Sequence, residues 1–171
     1  MSSSPSNIAS KSSEVSPPEC SCSIERNLAL YAAAQEGDLV KFNEEVEAGA
    51  SIEYKNPKNI EYRDANNWGN DNTPLHIACL LGFMQIVVRL LELNASTNIT
   101  NSQYFTPLHF AIAGEHPEIA VLLLERGAEP HAKSVIKDTP LAWASNRGLL
   151  DVVRLLLDRG ADPNAKISVS T

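Results

Sequence analysis

The sequence predicts an all-α repeat solenoid, and three observations carry that expectation. The phrase TPLHIA begins at Thr73, TPLHFA at Thr106 and TPLAWA at Thr139, two successive steps of 33 residues. After each comes a second apolar block that ends in a small-residue turn: QIVVRLLELNAS, EIAVLLLERGAE and DVVRLLLDRGAD. Ahead of them, LALYAAAQEGDLVKFNEEVEAGAS from Leu28 to Ser51 has the same layout without the phrase, which makes four units. A fixed period of this length marks supersecondary units that cannot bury their apolar faces alone and do so by stacking.

The elements follow in chain order. Residues 1–25 hold ten serines and three prolines among few large apolar groups, too little to offset the entropy of ordering, so this stretch is expected to be a disordered tail. Ser4-Pro5 and Ser16-Pro17 within it match the pattern of proline-directed kinases. The repeat domain spans 26–166, in units of about 27–59, 60–101, 102–134 and 135–166. In the first unit Lys41 and Glu45 stand where the second has Ile86 and Leu90, which suits an N-terminal cap whose outer face meets water.

In the other three units Thr73, Thr106 and Thr139 are placed to cap helices. Pro74, Pro107 and Pro140 follow at the first helical position, where a missing N–H costs nothing. The first helix ends near Gly82 or Gly148, residues suited to a left-handed C-cap. A second helix carries apolar side chains at helical spacing: Ile86, Val87, Leu90, Leu91; then Ile119, Leu123, Leu124; then Val152, Val153, Leu156, Leu157. Each unit is thus two short antiparallel helices plus an extended finger, and residues 167–171 form a short C-terminal tail.

The TPLH phrase, the helix-ending glycine and the LLLxxGA block recur in phase, and in this the chain resembles the ankyrin repeat family over residues 27–166. The resemblance implies an L-shaped stack whose inner helices and finger turns line a concave groove that binds other proteins. It also gives His76 and His109 a hydrogen-bonding role bracing neighbouring turns, with Ala142 in that place in the fourth unit.

Departures from the period nominate the binding residues. From Leu30 to Leu75, equivalent positions, the step is 45 residues, so the first finger has gained twelve. The gain lies between Ser51 and Thr73 and displays Tyr54, Tyr62 and Trp68 among polar neighbours, as binding hot spots do. A loop this long is a binding finger or a tolerated insertion, and the doubled IEY (Ile52–Tyr54, Ile60–Tyr62) also suits a small hairpin turning at Asn56-Pro57. On the groove side, Leu80 and Leu81 stand where other units carry Gln35 and Glu36, Ala113 and Gly114, or Asn146 and Arg147. Finger tips add Tyr104, Phe105, Val135 and Ile136 to an apolar stripe, unless Leu80 and Phe105 pack against neighbouring helices. Trp143, in phase with Ile77 and Phe110, is expected between units. The last unit keeps an internal character, so Ile167 and Val169 fold back over it, or a partner or a second copy covers it; a monomer is the expectation.

Composition narrows the function. The net charge is −7, with 12 acidic and 6 basic side chains in residues 1–71 against 9 and 8 in 72–171, which opposes nucleic acid and mildly favours a basic protein partner. No apolar run reaches membrane-spanning length and no secretory leader is evident, so a cytoplasmic or nuclear location is expected and the three cysteines are expected free. No nucleophile with its base, phosphate loop or zinc-spaced cysteine set can be assembled, so neither catalysis, a cofactor nor a metal is expected. The expected function is a non-catalytic adaptor or inhibitor acting through the groove and the long first finger. The alternative is an assembly chaperone shielding a basic client, such as a ribosomal protein, with the acidic front half.

Overall fold

A computed structural model of the chain describes residues 21–57 and 69–164. Among them are eight helices: α1 Ser21–Glu36, α2 Leu39–Glu47, α3 Pro74–Leu81, α4 Met84–Glu92, α5 Pro107–Ala113, α6 Pro117–Glu125, α7 Pro140–Asn146 and α8 Leu150–Asp158. They pair as α1 with α2, α3 with α4, α5 with α6 and α7 with α8. The odd-numbered helices pack in succession as an inner row, while α2 meets α4 and α6 meets α8 in an outer row. Helices of seven to nine residues are marginal alone, so packing between rows supplies their stability.

That packing uses the side chains carrying the period. Leu75, Ile86, Leu90, Leu108, Leu123 and Leu156 are all fully buried in one continuous core running from Leu30 to Ala161. Each contributes about 1.5–3 kcal/mol relative to leaving it in water. At the front end Lys41 is exposed and pairs with Glu36 at 3.2 Å, as a water-facing cap requires.

One boundary differs from the sequence expectation. α1 begins at Ser21, so residues 21–25, assigned to a disordered tail, are helical. Tertiary bonds anchor the helix just after this extension: Asn27 Oδ1 accepts from Ser51 N at 2.7 Å, and Arg26 donates to Ala48 O at 3.0 Å. Residues before Ser21, with Cys20 and both Ser-Pro pairs, lie outside the described residues.

The caps form as the sequence anticipates. Thr73, Thr106 and Thr139 are extended N-cap residues, each followed by proline at the head of its helix. His76 Nδ1 accepts from Thr73 N at 3.1 Å, and its Nε2 donates to Phe105 O at 3.1 Å, tying the second unit to the next finger. His109 makes the same contact with Thr106 N at 3.2 Å. Gly82 closes α3 at φ 79° and Gly148 follows α7 at φ 69°, both left-handed. In the third unit the left-handed residue in phase with them is Glu115, while Gly114 is right-handed.

The fingers stack beside the inner row. Ser102 N donates to Asn70 O and Val135 N to Gln103 O, both at 3.0 Å, so successive fingers join through their backbones. The lengthened first finger is pinched at its base, where Asn56 and Asn72 form an antiparallel bridge. Asn56 therefore pairs across the base of the insertion. The second IEY copy, which a hairpin needs, lies outside the described residues, as do Ile167 and Val169 at the C-terminus. In α8, Val152 and Leu156 are buried, but Leu157 is 41% exposed where its counterparts Leu91 and Leu124 are buried.

Candidate functional site

The residues nominated from sequence separate into four groups. Tyr104 and Ile136 are displayed, 60% and 48% exposed, beside Val135 at 53%. The Val135–Gln103 backbone bond makes their fingers neighbours, so the three are exposed apolar side chains on adjoining finger tips. Tyr104 stands out because its backbone is left-handed at φ 59°, in phase with Asp71 at 62° and Lys137 at 64°.

Phe105 is a correction. It is buried, its ring 5.2 Å from Trp143, 5.6 Å from His109 and 6.4 Å from Phe110. The left-handed turn at Tyr104 directs the next side chain inward, and the in-phase residues Asn72 and Asp138 are buried too. The residues in phase with the Val135–Ile136 tip are Ser102 and Gln103. Trp143 packs where the sequence places it, between units, half-buried with its indole N–H donating to Asp138 at 3.0 Å.

Leu80 and Leu81 part company. Both are half-buried, but Leu80 packs against the core and its carbonyl meets His116 Nε2 at 3.2 Å, whereas Leu81 lies outside that cluster. Of the two, Leu81 is the one not packed into the core. Tyr54 is half-buried at the start of the first finger, its amide on Ser51 O at 3.2 Å. Tyr62 and Trp68 lie outside the described residues.

Sequence reasoning missed a row of braces joining the units at the turns between inner and outer helices. His116 covers Gly82 and reaches Leu80 O, and Arg147 donates to Ala113 O and pairs with Glu115 at 3.1 Å. Phe83 packs over Gly37 in the same way. The signal was available: Gly114 has no side chain because the Leu80 carbonyl occupies the place a Cβ would take.

Burial governs the chemistry of the remaining reactive groups. It holds His76 down at about 3 and His109 at about 4, so both rings are neutral, and it pushes the Cys79 thiol well above the ordinary range. Among the described residues no group of three His, Cys, Asp or Glu side chains is placed to hold a metal ion. No helix of the described residues is long and apolar enough to cross a membrane.

Comparison with protein families agrees with this geometry. A family model described as Ankyrin repeats (3 copies) matches residues 30–134, and a second, described as Ankyrin repeat, matches residues 137–168. A search of curated proteins finds no match.

Proposed function

Since the chain belongs to the ankyrin repeat family, whose repeats are generally protein–protein interaction modules, we propose that it is a non-catalytic adaptor or inhibitor. It occupies a partner's surface with a preorganised scaffold, using the groove beside Leu81, the finger tips and the long first finger. The observation supporting this most is the placement of apolar side chains where neighbouring units keep polar or small ones. Leu81 stands in phase with Glu36, Gly114 and Arg147, and it lies outside the core. A rigid repeat stack loses little conformational entropy on association, so a few such contacts suffice for specific binding.

The test is affinity capture from lysate with three baits: the intact chain, Leu81→Ser, and a chain lacking the twelve extra residues between Ser51 and Thr73. A partner held by the intact chain and lost with Leu81→Ser is the expected result, provided the variant still unfolds cooperatively. Loss with the shortened chain adds Tyr54, Tyr62 and Trp68 to the contact. If all three baits retain the same partner, the groove reading fails.

The chaperone reading draws on the exposed carboxylates of the first unit, Glu25, Glu44 and Glu47 among them. Ionic strength separates the two. An apolar contact holds as salt rises, whereas a shielded basic client dissociates steeply over about 0.1 to 0.5 M salt. We further propose that the chain acts as a monomer, because among the described residues the apolar side chains exposed on α8 are only Leu150 and Leu157, with Val153 and Leu155 half-buried. Sedimentation at micromolar concentration checks it, and a dimer that Leu157→Gln dissociates overturns it.

A further inference from the structure

From the finger tips we infer a partner chemistry: the patch formed by Tyr104, Val135 and Ile136 takes an acidic segment of a partner protein bearing an aliphatic or aromatic anchor. The inference rests on the protein-binding reading above and specifies what one part of that surface recognises.

The first support is electrostatic. Between Pro130 and Thr139 the third finger carries two lysines, Lys133 and Lys137, both exposed. None of the ion pairs among the described residues uses either of them. The single carboxylate of that stretch, Asp138, is buried and receives the Trp143 indole N–H. The second finger adds no charge from Asn98 to Thr106, and Lys55 lies at its base with Nζ on Thr100 O at 2.8 Å. Asp71 stands in phase with Tyr104 on the first finger and Asp162 lines a cleft with Lys133, so the local cationic field comes from the third finger alone, whose one carboxylate is buried. That field attracts carboxylates and repels basic segments.

The second support is the backbone. A tyrosine at φ 59° and a lysine at φ 64° occupy left-handed positions that glycine fills without strain. The turn around Tyr104 is nonetheless held tightly. Asn101 Oδ1 accepts from Gln103 N and Phe105 N, each at 3.0 Å, and its Nδ2 donates to Asn72 at 2.8 Å. In the next finger Ser134 Oγ accepts from Asp138 N at 3.2 Å, and Ser134 O from Lys137 N at 2.8 Å. A rigid turn presenting an aromatic ring, with ammonium groups on the adjoining finger, is preorganised for an anchor flanked by carboxylates.

The experiment selects short peptides from a displayed random library on the full chain. The affinities of the selected peptides are then measured for Tyr104→Gly, for Lys133→Glu with Lys137→Glu, and for Leu81→Ser. The expected peptides are net acidic with at least one large apolar residue. They bind at least about tenfold more weakly to the first two variants and equally well to the third. Tyr104→Gly also unfolds at a temperature no lower than the parent, because glycine relieves the left-handed strain, so its lost binding is not lost folding. Basic or neutral selections, acidic ones indifferent to Tyr104 and the lysines, or no selection at all overturn the inference. Peptides lost with Leu81→Ser but kept by Tyr104→Gly overturn it too, while leaving the groove reading in place.

Discussion

Unfolding free energy falls by about 4 kcal/mol as the pH is lowered from about 7.5 to about 5, and two buried histidines account for most of the fall. His76 is held at about 3 and His109 at about 4, in each case chiefly because burial disfavours the charged ring. For His76 the bonds pull both ways: Nδ1 accepts from Thr73 N, so a proton there breaks a bond of the helix cap, whereas the Nε2 bond to Phe105 O favours the charged ring and offsets only part of the effect of burial. Both rings stay neutral in the folded chain across this range, whereas in the unfolded chain they take up protons below about 6.5. The unfolded state therefore binds more protons, and stability is lost as pH falls, by about 2 kcal/mol for each ring over the window. Carboxylates of the unfolded chain titrate mostly below about pH 5, so they add little. Denaturant titrations at fixed ionic strength give the curve. His109→Ala lowers stability throughout but halves the pH dependence, and Ala142 shows that alanine fits the equivalent place in the fourth unit. A curve flat from pH 7.5 to pH 5, or unchanged in slope by His109→Ala, contradicts the assignment.

The same histidines show what kind of feature a sequence makes legible here. Thr73 and Pro74 act within one turn of chain, so their roles as cap and first helical residue follow from local chemistry, and the 33-residue step multiplies the signal; the brace from His76 to Phe105 was legible only through the family resemblance. The buried positions of α4, α6 and α8 were legible for a related reason: a helical period of apolar residues has one consistent solution, a face turned to the core. Phe105 was not. Its direction is set by the left-handed backbone at Tyr104, and tyrosine gives no local hint of that conformation. The start of α1 was hidden as well, because Asn27 and Arg26 hold it through Ser51 and Ala48, more than twenty residues away. The proposed binding surface falls between these cases. Its apolar members stood out against the period, but only the structure shows that Leu80 packs on the core while Tyr104, Val135 and Ile136 are exposed on adjoining finger tips.

The helix-ending glycines divide by physical cause, and Gly114→Ala is expected to be the most damaging alanine substitution among them. At Gly127 and Gly148 a Cβ meets nothing within 4 Å, and the need for glycine comes from φ values of 88° and 69°. Alanine there costs about 1 kcal/mol of left-handed strain. At Gly127 even that is negotiable, since the in-phase residue of the second unit is Asn94 at φ 63°. Gly114 is the opposite case. Its φ of −75° suits any residue, but a Cβ would lie 2.2 Å from the Leu80 carbonyl oxygen and 2.7 Å from the His116 ring. The ring can turn aside, whereas the carbonyl belongs to α3 and moves only if α3 and α5 separate. Overpacking against backbone of this kind costs about 3 kcal/mol, a fall in Tm on the order of 10 °C for a chain of this size. Because space is the cause, His116→Ala in the same chain does not restore stability, and Gly127→Asn serves as a nearly silent control. Thermal unfolding of the four proteins decides the matter: if Gly114→Ala is as stable as Gly127→Ala, or if His116→Ala rescues it, close approach of α3 and α5 is not what requires this glycine. The separation also shifts Leu81, so Gly114→Ala weakens groove binding before it unfolds the chain, and Gly127→Asn does not.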